Sequence, residues 1–131
     1  MFQKSSLNWT DASKMVGAAK AEAAKNNWLV SIAVVDDAGY IIHLERMDGA
    51  VLPSPDIATR KARSAALSRR PTKALEDMTK ERPVMLVFPD RLPIQGGLPI
   101  THGDQCVGGI GVSGVMSHQD EQIAAAGIAA L

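Results

Sequence analysis

The sequence is poor in cysteine, in aromatic side chains and in net charge. Its one cysteine, Cys106, cannot form a disulfide within the chain. Fourteen Lys and Arg residues balance fourteen Asp and Glu residues, so no general electrostatic field favours nucleic acid or an anionic membrane. We therefore expect neither of them as a partner.

Long apolar runs are also missing. No stretch reaches the roughly 18 apolar residues that span a bilayer, and residues 1–9 lack the apolar core of a secretory signal. These absences predict a cytoplasmic protein. A chain of 131 residues with 46% hydrophobic content fits a single domain over residues 1–131.

Glycine is concentrated in one apolar segment, residues 106–114 (Cys-Val-Gly-Gly-Ile-Gly-Val-Ser-Gly). Gly109, Gly111 and Gly114 satisfy the dinucleotide pattern G-x-G-x-x-G, but only 17 residues follow, too few for the second strand of a nucleotide-binding unit. Ser113 does not fit the nucleophile elbow G-x-S-x-G, because Val115 stands where the last glycine is required. What remains is a glycine-rich strand that enters a helix whose first N–H groups could receive an anion.

Hydrophobic periodicity and turn residues predict nine elements in the order α-β-β-α-α-β-β-β-α. The helices are expected from a cap at Asn8 or Thr10 to residues 26–27, and over 57–69, 73–80 and 119–131. Ser117 is expected to cap the last helix, with Asp120 reaching back to the cap. The strands are expected over 28–35, 40–46, 85–88, 98–101 and 105–112. Hairpins separated from helices predict an α+β fold, with an antiparallel sheet of about five strands and flanking helices.

Five motifs together resemble a known family. They are Val34–Gly39 followed by Glu45–Ala50, Ile57–Ala65, Gln95–Ile100, Val107–Gly114 and Asp120–Ala124. In these motifs, and over residues 7–131, the sequence resembles the GlcG/HbpS-like family, the DUF336 domain that also forms the C-terminal domain of some PduO proteins. Five motifs in the same order are more specific than any single glycine pattern.

The resemblance implies a profilin-like domain that assembles into homo-oligomers and, in some members, binds haem or a corrinoid. It does not imply one activity, because members are linked to haem binding and degradation and to several catabolic operons. Two features depart from the family. The chain has no export signal of the kind that secreted haem-sensing members carry, and its first helix contains no histidine that could bind haem iron.

Five residues are candidates for binding a ligand carboxylate. Lys61 belongs to the family-like motif Arg-Lys-Ala-Arg, and Arg46 ends a predicted strand. Gly97, Ser113 and Gly114 belong to the glycine motifs that match the family. Simpler interpretations stay open, because basic residues on one helix form a solvated face and Arg46 could pair with Asp48.

Two residues near the start of the last helix are candidate acid–base groups. His118 and Glu121 could move a proton, or they could only line the helix N-terminus. His102 is expected to be a turn residue, and Cys106 a small core residue. No metal site is predicted.

Three functions follow from this reading. The first is an oligomeric protein that binds a small ligand with a carboxylate group. The family resemblance suggests haem or a related tetrapyrrole as this ligand, with its propionates near Arg46 and Lys61. The second is a lyase or isomerase that acts on a small carboxylate or aromatic acid in a catabolic pathway, with proton transfer by His118 or Glu121. The third is a non-catalytic accessory subunit in which the glycines serve only packing.

Overall fold

The computed structural model describes residues 1–131 as helices on both faces of one sheet. Its elements are α1 (Trp9–Lys25), β1 (Ser31–Asp36), β2 (Ile41–Arg46), α2 (Ser54–Ser68), α3 (Thr72–Glu81), a 3-10 helix (Pro83–Val87), β3 (Gly97–His102), β4 (Gln105–Ser113) and α4 (Ser117–Ala129). The four strands pair antiparallel in the order β2-β1-β4-β3. The predicted α+β class is therefore confirmed. None of the helices combines the length and apolarity needed to cross a bilayer.

The strand predicted over residues 85–88 is wrong. The chain forms a 3-10 helix over Pro83–Val87, none of whose residues is buried, and the sheet has four strands instead of about five. Strand propensity in this short apolar run is not sufficient, because a strand is stable only when a neighbour pairs with its backbone.

Helix boundaries also differ from the prediction. Helix α2 begins at Ser54, which places Pro55 in its first turn, where a missing N–H costs nothing. It ends at Ser68, because Arg69 adopts a left-handed conformation with φ 57°. Helix α4 begins at Ser117, with Met116 and not Ser117 as its cap, and Gln119 Oε1 accepts a hydrogen bond of 3.2 Å from the Met116 N–H.

The two faces of the sheet pack differently. On one face, branched side chains contact α1 and α4, and the largest fully buried members of this cluster are Met15, Ile32, Ile100, Ile110 and Ile123. Full burial of each such side chain contributes about 1.5–3 kcal/mol. This cluster is the main core of the protein.

On the opposite face, β4 carries glycine where it meets α2. A Cβ atom on Gly109 would overlap the carbonyl oxygen of Ala62, and one on Gly111 would overlap that of Ala58. Ala33, Val35 and three alanines of α2 fill the remaining space in a cluster of five buried residues. Glycine at alternate positions of β4 thus lets the α2 backbone lie directly against the sheet.

Candidate functional site

Lys61 lies inside the protein and not on a ligand-binding surface. Its residue is 2% exposed on α2. The ammonium Nζ donates hydrogen bonds of 3.0 Å to the Val112 carbonyl oxygen and 3.0 Å to Asp120 Oδ2. The sequence predicts that Lys61 binds the carboxylate of a ligand, and in the folded chain the carboxylate it contacts is that of Asp120.

Asp120 joins α2 to the start of α4. Its Oδ1 accepts a hydrogen bond of 3.2 Å from the Val115 N–H, one residue before the helix cap, while Oδ2 binds Lys61. Burial raises the pKa of the Asp120 carboxyl above its usual 3.8, and the nearby Lys61 ammonium opposes that shift. The predicted contact of Asp120 with a Ser117 cap is therefore wrong. The cap is Met116, and the Asp120 carboxylate accepts its hydrogen bond from the residue before it, Val115.

Two glycines lie against Lys61, Gly96 against its side chain and Gly97 against its backbone. Gly96 has φ 133°, and a Cβ atom there would lie 2.7 Å from Lys61 Nζ. A Cβ on Gly97 would overlap the Lys61 carbonyl oxygen, and the Gly97 N–H donates to Thr72 Oγ1 at 2.8 Å. We call Lys61, Gly96, Val112 and Asp120 the closed end of the sheet, because internal partners occupy all of its charged groups.

The other predicted site residues surround the closed end. Ser113 is 7% exposed. In the sheet, Ser113 of β4 is the strand partner of Ser31 in β1, whose partner on the other side is the exposed Arg46 of β2. Arg46 forms no ion pair, so its alternative pairing with Asp48 does not occur. Gly114 has φ 144°, and a Cβ there would lie 2.9 Å from Val30 Cα.

The candidate acid–base pair does not share a cleft. His118 is exposed on the first turn of α4, whereas Glu121 is half-buried and accepts a hydrogen bond of 3.3 Å from Gln95 Nε2. None of the four cavities in the structure is lined by any residue that the sequence analysis proposed for ligand binding or catalysis.

The two largest cavities lie at the opposite end of β3 and β4, and His102 lines both of them. The first has a volume of about 530 Å³ and combines four aliphatic walls, Leu7, Val107, Ile128 and Leu131, with polar residues that include Asp11 and Thr101. The second, also about 530 Å³, is lined by Phe2, Lys4, Asp37, Arg69, Cys106 and neighbouring polar residues. We call His102 and these two cavities the open end of the sheet.

His102 is the last residue of β3, at the β3–β4 turn. Its imidazole is exposed, and it takes part in no side-chain hydrogen bond or ion pair of the structure. The sequence predicts the turn and indicates no further role for His102. No local pattern shows that residues 5–7 and the C-terminal residues converge on this turn, since those contacts arise only in the folded chain.

The N-terminal segment, residues 2–6, forms part of both cavities. Lys4 Nζ bonds Asp37 Oδ2 at 2.8 Å, and Ser5 exchanges two hydrogen bonds of 3.0 Å with the Gln105 side chain. The hydrogen bond from Lys4 lowers the pKa of the Asp37 carboxyl. This segment is thus held over the open end by polar side chains and not by burial.

Cys106 lines the second cavity but is not a free nucleophile. Its Sγ lies 3.4 Å from the Gly108 carbonyl oxygen and 3.7 Å from that of Ala66, so the thiol proton has two acceptors. The residue is half-buried, which corrects the expectation of a core position. No group of three or more His, Cys, Asp or Glu side chains is arranged to hold a metal ion.

Comparisons with known proteins agree with this architecture. The family model described as "Haem degrading protein HbpS-like" matches residues 7–129. Protein GlcG of Escherichia coli strain K12 is 42% identical over 114 residues, which cover 86% of this chain and 85% of that protein.

Solved structures extend the agreement to the whole chain. A double mutant of HbpS from Streptomyces reticuli superposes with a TM-score of 0.94 at 38% identity, covering 100% of this chain and 90% of that one. A complex of PduOC with haem superposes with a TM-score of 0.89 at 26% identity, covering 97% of this chain and 96% of that one. With a family model matched over nearly its full length and a curated relative of this identity, the chain belongs to the HbpS-like family.

Proposed function

We propose that this protein binds haem or a related tetrapyrrole at the open end of the sheet, where His102 would hold its metal. The observation that carries the proposal is an exposed imidazole without a protein partner that lines two cavities of about 530 Å³ each. Haem in the PduOC complex and the haem-related description of the family model support the choice of ligand.

The residues around His102 fit the three requirements of a tetrapyrrole. A neutral imidazole nitrogen is a common axial donor for haem iron. The aliphatic side chains of Leu7, Val107 and Ile128 provide an apolar surface for the macrocycle. Arg69 lines the adjoining cavity and forms no ion pair, so its guanidinium can bind a propionate carboxylate, whereas Lys4 is paired with Asp37. The expected propionate partners Arg46 and Lys61 lie at the other end of β4 and line neither cavity.

When bound, the group supplies redox or ligand-binding chemistry at its iron. The chain itself supplies one nitrogen donor, an apolar wall and cationic side chains. Since His118 and Glu121 line no cavity, nothing in their placement favours the lyase or isomerase alternative over binding. We therefore propose a binding function for this protein.

Haem titration of purified apoprotein tests the axial ligand. We expect a saturable Soret band with the native chain, and His102→Ala should weaken haem binding by about tenfold or more, since a metal–ligand bond is lost. Added imidazole should restore the spectrum of His102→Ala. His118→Ala is the matched control, because it removes an exposed histidine that lines no cavity. Equal affinity of native protein and His102→Ala would reject the site.

A second pair of variants tests the propionate contact. Arg69→Gln removes a cation from the second cavity, whereas Arg70→Gln removes an exposed neighbour that lines no cavity. We expect Arg69→Gln to weaken haem binding about two- to fivefold, the range of a solvent-accessible ion pair. Arg70→Gln should bind haem as the native chain does, and equal losses in both variants would show that only net charge matters.

We further propose that the protein is a homo-oligomer. Support comes from large apolar side chains left in water within one 3-10 helix, Val84, Leu86 and Val87, which are 60%, 66% and 80% exposed. Clustered exposed apolar surface is typical of protein interfaces. Light scattering at micromolar concentration should give the mass of an oligomer, and a monomeric mass would contradict this part of the proposal.

A further inference from the structure

A third cavity, separate from the open end, lies between α2 and the loop that precedes β3. Its volume is about 360 Å³, and its lining consists of Arg60, Arg63, Ser64, Asp90, Arg91 and Leu92. Three arginines and one aspartate give the lining a formal charge of 3 − 1 = +2. Only one of these residues is hydrophobic, so the chemistry of this cavity differs from that of the apolar cavity beside His102.

Two of the three guanidinium groups are held in place by aromatic rings. Arg63 Cζ lies 5.6 Å from the centre of the Tyr40 ring, and Nη1 donates to the Gly39 carbonyl oxygen at 3.4 Å. Arg91 Cζ lies 3.8 Å from the centre of the Phe88 ring. Cation–π contact restricts both side chains before any ligand arrives, which reduces the entropy that binding would cost.

The positive charge of the cavity is only partly neutralised within the chain. Arg63 Nη2 is 3.7 Å from Asp90 Oδ2, beyond hydrogen-bond distance, and the Asp90 side chain is 64% exposed. Arg60 pairs with Asp56, which lies outside the cavity lining, and Arg91 pairs with no carboxylate. At least one guanidinium fork of the cavity therefore has no internal anion.

The loop that carries Arg91 is fixed to α2. Ser64 is 1% exposed, and its Oγ accepts a hydrogen bond of 2.8 Å from the Leu92 N–H while donating one of 2.7 Å to the Arg60 carbonyl oxygen. Asp90 adopts a left-handed conformation with φ 56°, which turns the chain just before Arg91. The buried hydroxyl thus ties the loop backbone to the helix that provides Arg60 and Arg63.

We propose that this cavity binds a compact dianion, either a phosphate monoester or a small dicarboxylate. A charge of −2 matches the +2 of the lining. Guanidinium forks bind phosphate and carboxylate oxygens in bidentate geometry. The near absence of apolar wall selects a small and highly polar molecule and not a tetrapyrrole, so this site is independent of the function proposed above.

Calorimetric titration of the full chain at constant ionic strength tests the proposal. The probes are inorganic phosphate and malonate, with acetate as the singly charged control. We expect saturable one-to-one binding of phosphate or malonate and at least about tenfold weaker binding of acetate, because acetate can satisfy only one fork. Binding of phosphate alone would indicate a phosphate monoester, and binding of malonate alone a dicarboxylate. Saturation by neither, or equal binding of acetate, would overturn the proposal.

Three variants connect the binding to this cavity. Arg91→Gln should weaken dianion binding about tenfold, the loss of one charge-assisted contact. Arg82→Gln removes an exposed arginine outside the lining and should leave binding within about twofold of the native value. Asp90→Asn raises the charge of the lining and should tighten binding about two- to fivefold, and asparagine tolerates the left-handed backbone.

The opposite signs expected for Arg91→Gln and Asp90→Asn separate a binding role from a structural one. Damage to the loop would weaken binding in both variants, and melting temperatures of each variant would record it. Weaker binding by Asp90→Asn, or equal effects of Arg91→Gln and Arg82→Gln, would overturn the proposed site.

Discussion

The closed and open ends of β4 use polar residues in opposite ways. At the closed end, Lys61 and Asp120 are each about 2% exposed, and each binds the other and a backbone group. At the open end, about 23 Å away along β4 from Val112 to Gln105, the His102 side chain is exposed and has no hydrogen-bond partner. The comparison shows that a buried charge with internal partners stabilises a fold, whereas a polar group without a partner beside a cavity remains available to a ligand.

The largest effect is expected midway between the two ends, where α2 lies against the glycines of β4. Gly109→Val would force a branched side chain into the carbonyl oxygen of Ala62. Neither helix nor sheet backbone can move without breaking hydrogen bonds, so we expect a loss of more than about 3 kcal/mol in the free energy of unfolding, or no folded protein. Urea denaturation followed by circular dichroism measures the loss.

Gly17→Ala is the matched control for this substitution. A Cβ atom on Gly17 meets nothing within 4 Å, and the residue lies inside α1. Alanine is the better helix former by about 0.5–1 kcal/mol, so this variant should be as stable as the native chain or more so. A Gly109→Val protein with unchanged melting temperature would contradict the close approach of α2 to the sheet.

The next effect concerns the closed end. Lys61→Met leaves the Asp120 carboxylate buried without its cation, and such a loss costs about 3–5 kcal/mol. Burial already raises the pKa of Asp120, and removal of Lys61 removes the opposing influence. A carboxyl whose pKa is higher in the folded than in the unfolded chain adds stability as the pH falls through the folded pKa toward 3.8. The variant should therefore regain stability on acidification.

A double-mutant cycle isolates the pair from the rest of the fold. Asp120→Asn keeps an oxygen for the Val115 N–H but leaves the Lys61 ammonium buried without a counter-ion. The double variant, Lys61→Met with Asp120→Asn, has neither buried charge. Its free energy of unfolding should therefore be higher than the sum of the two single losses predicts. Simple additivity would show that the two side chains do not interact.

The smallest effect is expected for a substitution that tests which end of the sheet binds the ligand. Ser113→Val removes a nearly buried hydroxyl at the closed end while roughly preserving volume. If the ligand binds at the open end, haem affinity should stay within about twofold, because substitutions far from a site act independently of it. Haem titration measures this affinity. A clear loss of affinity in a folded Ser113→Val protein would show that the ligand binds near the residues that the sequence suggested.

The sequence predicted most of the fold because its signals are local. A continuous apolar run predicted β1, and alternation at Ile42 and Leu44 predicted β2. The sequence Ser54-Pro55-Asp56 predicted the start of α2. The predicted strand over 85–88 failed because its apolar residues have no partner strand, which only the tertiary structure reveals. The family motifs added the class of protein.

The site was harder to predict because chemical residue type does not reveal the partner. Lys61 and Ser113 are residue types that are common in binding sites. In the folded chain, however, Lys61 is buried and bonds Val112, which lies 51 residues away in sequence. The open end is assembled from the N-terminal segment, the β3–β4 turn and the C-terminal residues, which are distant in sequence. No spacing rule joins such segments, and His102 alone looks like an ordinary turn residue.

The weak attachment of the N-terminal segment makes one wall of the two cavities adaptable. Lys4 and Ser5 hold residues 2–6 through contacts at the surface, and such contacts contribute about 1 kcal/mol or less each. Release of the segment therefore costs far less than the roughly 5–15 kcal/mol of global unfolding. The Ser5 amide should therefore exchange with solvent much faster than the amides of β4, and the N-terminal wall of both cavities can rearrange while the sheet stays intact.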